Sequence, residues 1–210
     1  MRTFAASAAS VALVALNGPV SAQDFTINSG YALASAYMEY GRVVGQPRAS
    51  FQGYSEIVAS GFYLGASFAS LRDGPDRLES TIYAGFRNSV GALGYDLGYF
   101  RDFYNKTGNC CGEVTLAVGY EAPHGMSFGS ELTYEHTNRY YAASVSAGYD
   151  FSNTYGVSAE FGRVEDSHNF WNLGVTVTPM AQTAIDLRYH DSSGDKGRLV
   201  GTLSYDFSLR

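Results

Sequence analysis

The sequence predicts an all-β chain: a transmembrane, antiparallel, up-and-down β-barrel of about twelve strands, preceded by a signal peptide. Three observations lead there. Segment after segment alternates apolar and polar side chains with a period of two, and no stretch carries an amphipathic helical pattern. Charged residues make up only 16% of the 210 residues, while Tyr (17) and Phe (13) are plentiful. Mean hydropathy is −0.13, too polar for a helical membrane protein. No apolar run reaches the roughly 18–20 residues of a spanning helix, a test that a barrel escapes because only alternate residues face lipid. A soluble sandwich with the same alternation would bury its apolar faces against each other, but these strands run long and a closed barrel leaves no edges to protect.

The chain opens on residues 1–22, which read as a secretory signal peptide. Arg2 supplies a weak positive start, an Ala/Val/Leu/Ser run follows, Asn17-Gly18-Pro19 breaks it, and Val20-Ser21-Ala22 fits a small-residue cleavage site. Residues 23–210 form the barrel domain. Its first strand is expected over residues 26–40, with Ala32, Ala34, Ala36, Met38 and Tyr40 on the apolar face. The second, over 48–59, sets Phe51, Gly53 and Ile57 against Gln52, Tyr54 and Glu56, and the third carries Phe62, Leu64, Ala66 and Phe68 on one face.

Residues 78–104 give the clearest hairpin. Leu78, Ile82, Ala84 and Phe86 share a face opposite Glu79, Thr81 and Arg87, Asn88–Gly91 supplies turn residues, and Leu93, Tyr95, Leu97 and Tyr99 then oppose Asp96 and Gly98. Strands six to twelve keep the rhythm, for example Val114, Leu116 and Val118 against Glu113 and Thr115, and Ile185, Leu187 and Tyr189 against Asp186 and Arg188. Every second linker is longer or more charged: GRVVGQP, RDGPD, NKTGNCCG, HTNR, EDSH and SSGDKG. Short turns at one rim and longer loops at the other is the pattern of an outer-membrane barrel. Outward aromatics gather near both rims, with Tyr40 placed in the loop-side group.

Parity also sorts the bore. Glu56, Glu79, Arg87, Asp96, Glu131, Glu160, Asp186 and Arg188 are expected to line it, with acids outnumbering bases. An acidic lining concentrates cations and repels anions, so a water-filled bore would be weakly cation-selective. Alternatively these groups pair, as Asp186 and Arg188 are placed to do with groups on neighbouring strands, and plug the lumen. Twelve strands lie between filled eight-stranded barrels and open sixteen-stranded porins, which leaves both states open. The net charge of −6 argues against nucleic acid as a partner.

Cys110 and Cys111 are adjacent, which is neither a zinc nor a redox spacing; in an oxidising compartment they are a candidate disulfide in an expected loop over 105–112. His124, His136, His168 and His190 are scattered, and no catalytic pairing, metal-ligand cluster or nucleotide-binding glycine motif is visible. No catalytic residue, cofactor or metal is therefore expected.

Three segments carry a family resemblance: ALASAYMEYG, QPRASFQGYSEIVASGFYLGASFAS and LESTIYAGFRNSVGALGYDLGYFRDFY. They resemble the TorF-like family of porins, small outer-membrane β-barrels of Gram-negative bacteria. The likeness covers about residues 31–104, and beyond them only the strand rhythm continues. Ala36 stands where that family usually has an acid, and Tyr40 where it usually has an arginine. The last aromatic, Phe207, is followed by Ser208-Leu209-Arg210 rather than ending the chain. The resemblance implies an outer-membrane location and a passive channel for small solutes, with outer-membrane lipid and the barrel-assembly machinery as partners. A closed barrel with a structural or surface-binding role, or a lipid-modifying enzyme, are the alternatives.

Overall fold

The computed structural model describes residues 25–209, so the expected signal segment 1–22 lies outside the described residues. Strand β1 (Thr26–Ala34) is followed by a small hairpin, β2 (Met38–Glu39) and β3 (Arg42–Val43). Then come β4 (Ser50–Ala59), β5 (Phe62–Asp73), β6 (Asp76–Val90), β7 (Leu93–Tyr104), β8 (Gly108–Ala122) and β9 (Met126–Glu135). The chain finishes with β10 (Tyr140–Asp150), β11 (Tyr155–Val164), β12 (His168–Met180), β13 (Thr183–Ser192) and β14 (Arg198–Leu209). All but β2 and β3 join one closed antiparallel barrel of twelve strands in sequence order. Closure is made by β1, which pairs with β14 (Ile27 opposite Leu209) and with β4 (Thr26 opposite Val58). No barrel strand is left as an edge, so the ladder bonds are made inside the wall, as hydrocarbon demands.

The outer face is mainly apolar, with single hydroxyls such as Ser80 and Ser130 among the larger side chains. Leu64, Leu97, Leu173 and Leu203 are each at least half exposed, which in water would be costly and in lipid is favourable. Aromatic side chains gather at the two rims of this band. Phe62 and Phe86 pack at 4.8 Å near the short turns; Tyr134–Tyr141 (4.7 Å) and Trp171–Tyr189 (5.5 Å) pack toward the loops. Such rings prefer the two membrane interfaces. The turns are tight: Ser60 (φ 51°) and Gly61 (φ 84°) are both left-handed, the combination of a two-residue turn that matches strand twist.

Several sequence expectations change. In β1 the faces are reversed: Ala32 and Ala34 are 3% and 4% exposed and point inward, while Tyr31 and Leu33 are exposed to the outside. Both parities there are apolar, so periodicity alone does not choose a face, and the larger side chains take the lipid. The strand also stops at Ala34 rather than Tyr40, and the chain then turns into the barrel mouth. Tyr40 is consequently inside, 5.7 Å from Phe170, and not part of the outer girdle. Asn88–Gly91 is not the turn; β6 continues to Val90 and the reversal falls on Gly91-Ala92. The loop expected over 105–112 shrinks to residues 105–107, which places Cys110 and Cys111 in β8. Polar and glycine residues at these ends still ladder, because the strands run past the hydrocarbon.

Candidate pore lining

Inward positions of the wall form three polar groups beneath a folded-in loop. The first lies on β4 to β7, toward the short-turn rim. Arg87 donates from Nη1 to Glu56 Oε1 (3.1 Å) and from Nη2 to Oε2 (2.9 Å). Its Nε lies 3.4 Å from Asp96 Oδ2, a charge contact without hydrogen-bond geometry. The guanidinium sits 4.1 Å over the Tyr63 ring, and Tyr63 Oη donates to Asp96 Oδ1 (2.6 Å). Asn28 Nδ2 donates to Glu56 from β1 (3.2 Å). Tyr63 can lie flat on the wall because Gly85 and Gly98 form the floor beneath it: a Cβ at Gly98 would sit 2.5 Å from Tyr63 Oη, and one at Gly85 would also meet that hydroxyl.

The second group is on β11 to β13, across the bore. Arg188 and Asp186 alternate on one strand face and are 3% and 2% exposed. Arg188 Nη2 meets Asp186 Oδ2 at 3.0 Å and Nε meets Oδ1 at 3.2 Å. Nη1 donates to Asn172 Oδ1 (2.7 Å) and Nη2 to Ser158 Oγ (2.8 Å). Thr176 donates to Asp186 Oδ2 (2.8 Å), and Asn172 Nδ2 donates to Glu160 Oε2 (2.8 Å). The guanidinium lies over Gly174, its direct cross-strand neighbour. A buried charge needs such complete wrapping, since each unmet donor would carry its full desolvation cost.

The third group is an acid-rich wall on β6 to β9. Thr81 donates to Asp102 (2.7 Å), and Thr133 donates to Glu131 (3.3 Å). Glu113 and Glu135 face each other across β8 and β9 and are 2% and 0% exposed. Glu135 accepts the amides of Thr137 (2.6 Å) and Asn138 (2.7 Å), tying down the turn at the loop rim.

Residues 35–49 fold into the loop-side mouth. The β2–β3 turn uses Tyr40 (φ 46°) and Gly41 (φ 76°), again a left-handed pair. Tyr37 Oη donates to Glu79 Oε1 on β6 (3.1 Å), and its ring packs with Ala69, Leu71, Val44 and Tyr104. At the other side His168 Nε2 on β12 donates to the Tyr40 carbonyl (2.9 Å), and Arg42 donates to the Ser193 carbonyl (3.1 Å). Strands β6 and β12 are opposite each other in the barrel order, so this segment reaches across the mouth from wall to wall.

Of the expected lining residues, the structure joins Glu56, Arg87 and Asp96 in one group and Glu160, Asp186 and Arg188 in another. Glu79 is engaged by the folded-in loop, and Glu131 stands on the acidic wall. Sequence reasoning missed Tyr63, Asn172 and the crossing segment; its only signal was the pairing of inward aromatic or arginine positions with inward glycines on neighbouring strands. Cys110 and Cys111 are bonded to each other where β8 shifts register against β7. Ser167 and His168 form a hydrogen-bonded pair (2.8 Å), but the other ring nitrogen is committed to the Tyr40 carbonyl.

Three solved structures place this fold. The chain is similar to the KdgM porin, with a TM-score of 0.66 at 11% identity over 87% of this chain and 99% of that one. It is similar to the NanC porin, with a TM-score of 0.52 at 7% identity over 89% and 100%. The outer membrane protein Omp33 of Acinetobacter baumannii matches with a TM-score of 0.50 at 10% identity over 87% and 97%. At these identities the likeness is one of fold. No protein-family model matches the chain, and no curated protein matches it.

Proposed function

We propose that this chain is a porin of the bacterial outer membrane, of the TorF-like kind, passing small solutes by passive diffusion with a weak preference for cations. The observation that carries this reading is the contrast across one wall. Alternate side chains present Leu, Ile and aromatics outward and carboxylates, amides and arginines inward, in a closed ring of twelve strands. Polar groups are costly to place inside a barrel unless they are paired or wetted, and here the arginines pair locally while the β6 to β9 wall keeps its excess of acids. The signal segment 1–22 would direct export, and the barrel-assembly machinery and outer-membrane lipid are then its partners.

A second reading, a closed barrel, draws on the crossing segment 35–49, which narrows the mouth. Planar-bilayer recording separates the two. Single-channel steps with a reversal potential of cationic sign in a KCl gradient are expected; a protein that inserts without conducting would favour the closed barrel, and an anionic reversal potential would overturn the selectivity. The Ser167–His168 pair is accounted for without a lipid-modifying activity, because the far ring nitrogen holds the Tyr40 carbonyl and so seats the crossing segment. Turnover of phospholipid or lipid A by the purified barrel would revive that alternative.

A further inference from the structure

At the loop rim, the outer surface of β7 to β10 carries a short row of basic and imidazole side chains. Arg101 of β7 is paired with Ile82, which is half exposed on the lipid side, and with Gly112 of β8. His136 comes next across β8, its amide donating to the Gly112 carbonyl (2.9 Å), and Arg139 closes the row in the turn between β9 and β10. The imidazole lies over Gly112, where an added Cβ would run into its Nε2, so it fills the gap between the two arginines. Stacking on Tyr99 holds it there: the rings are 6.1 Å apart and 6° from parallel, with Nε2 3.3 Å from the hydroxyl. We propose that this row is a docking site for the phosphate groups of lipid A, the glycolipid of the outer leaflet. The site rests on the outer-membrane reading and not on whether the bore conducts.

Charge, depth and sidedness all point to phosphate. The Arg101 and Arg139 side chains make no hydrogen bond or ion pair among the described residues. The acids next to this row in the chain, Asp102, Glu113 and Glu135, alternate to the inner face and are at most 2% exposed, so they do not reach it. One step toward the hydrocarbon, Tyr99, Val114, Tyr134 and Tyr141 are paired in a row of their own. Tyrosines mark the membrane interface, which sets the arginines above them at headgroup level. At the opposite rim the outward positions of the same strands, Leu93, Tyr120, Phe128 and Tyr149, carry no charge. The loop rim is the extracellular one in barrels of this pattern, so the cations face the outer leaflet alone. Arginine binds phosphate through paired N–H donors. Neighbouring strands lie about 4.8 Å apart, so the two arginines, three strand spacings apart, start about 14 Å from each other. A headgroup with a phosphate at either end suits that separation better than a single phosphate does.

The test incubates the full barrel, refolded in a non-ionic detergent, with diphosphoryl lipid A, with its dephosphorylated form or with phosphatidylglycerol. Native mass spectrometry then counts the lipid retained. One diphosphoryl lipid A per barrel is expected, the other two lipids being held about tenfold more weakly or not at all, and retention should fall as salt is raised. Arg101→Gln and Arg139→Gln, made separately, are each expected to weaken retention about tenfold, the order of a lost charged hydrogen bond. Arg101→Lys should keep part of it, because lysine preserves the charge and not the paired geometry. Lys196→Gln, the same charge change in the exposed loop between β13 and β14, should leave retention unchanged. Heat-modifiable gel migration checks that each variant is folded, and the two arginines lie on different elements, so one reports if the other fails. Equal retention of dephosphorylated lipid A or of phosphatidylglycerol, or parent-like retention by the folded Gln variants, overturns the docking site; a barrel that still conducts then leaves the porin reading standing. Retention of diphosphoryl lipid A by a barrel that does not conduct would keep the site and overturn the porin reading instead.

Discussion

Arg87 on β6 reaches across β5 to grip Glu56 on β4 through both terminal nitrogens, at 3.1 and 2.9 Å. Fork-to-carboxylate pairing of this kind is directional and stronger than a single contact. It also places the one arginine of this group between two acids, Glu56 and Asp96. Arg87→Gln is therefore expected to leave two carboxylates facing the bore without a counter-charge. The reversal potential in a salt gradient should move further toward the cation value, and the shift should shrink at high ionic strength as screening sets in. An unchanged reversal potential would place this group outside the ion path.

Asp186 and Arg188 differ in kind from that pair, because both are almost fully buried. Removing one partner strands the other in a poorly solvated wall. Asp186→Asn is expected to cost about 3–5 kcal/mol, the usual penalty for breaking a buried pair. Replacing both, as Asp186→Leu with Arg188→Leu, is expected to cost less than the single change. Urea unfolding from lipid vesicles, followed by heat-modifiable migration, reads both. A single variant as stable as the parent would mean that water reaches this network.

The crossing segment 35–49 gives a prediction about conductance. Its tip is seated by Gly41, whose φ of 76° suits glycine and whose added Cβ would lie 2.7 Å from both Asp191 O and Phe170 Cβ. Gly41→Val is thus expected to displace the tip from the β12 and β13 side while leaving the twelve-strand wall intact. Single-channel conductance should rise, with little change in unfolding. Equal conductance in the parent and the variant would show that the segment does not limit flow.

Most of the wall was legible in the sequence, and the inner part of the mouth was not. Strands such as β7 and β13 were readable because lipid on one side and polar groups on the other leave a strict two-residue code: Leu187 and Tyr189 out, Asp186 and Arg188 in. The code failed in β1, where Ala32 and Ala34 look as apolar as Tyr31 and Leu33, so composition gave no face. It failed again at Tyr40, because a segment that leaves the wall obeys no lipid-facing alternation. The eight expected lining positions followed from parity alone. Their grouping did not, since Arg87 meets Glu56 two strands away and that contact depends on the register between neighbouring strands.

The lipid-facing assignment itself makes the last prediction. Leu97 lies mid-strand in β7, is 52% exposed, and is flanked across the ladder by Phe86 and Leu116 on the outer face. A charge there has neither water nor a partner. Leu97→Arg is expected to cost about 1–4 kcal/mol, between the penalties for arginine at the interface and at the midplane of a barrel. Ser144→Arg, on the inner face of β10 directly opposite Glu131, is expected to cost far less because a carboxylate stands across the ladder. The difference between the two variants, measured by folding into lipid vesicles at increasing urea, reports which face meets hydrocarbon. Equal penalties, or the larger one at position 144, would mean that the bore and not the outer surface is the apolar side.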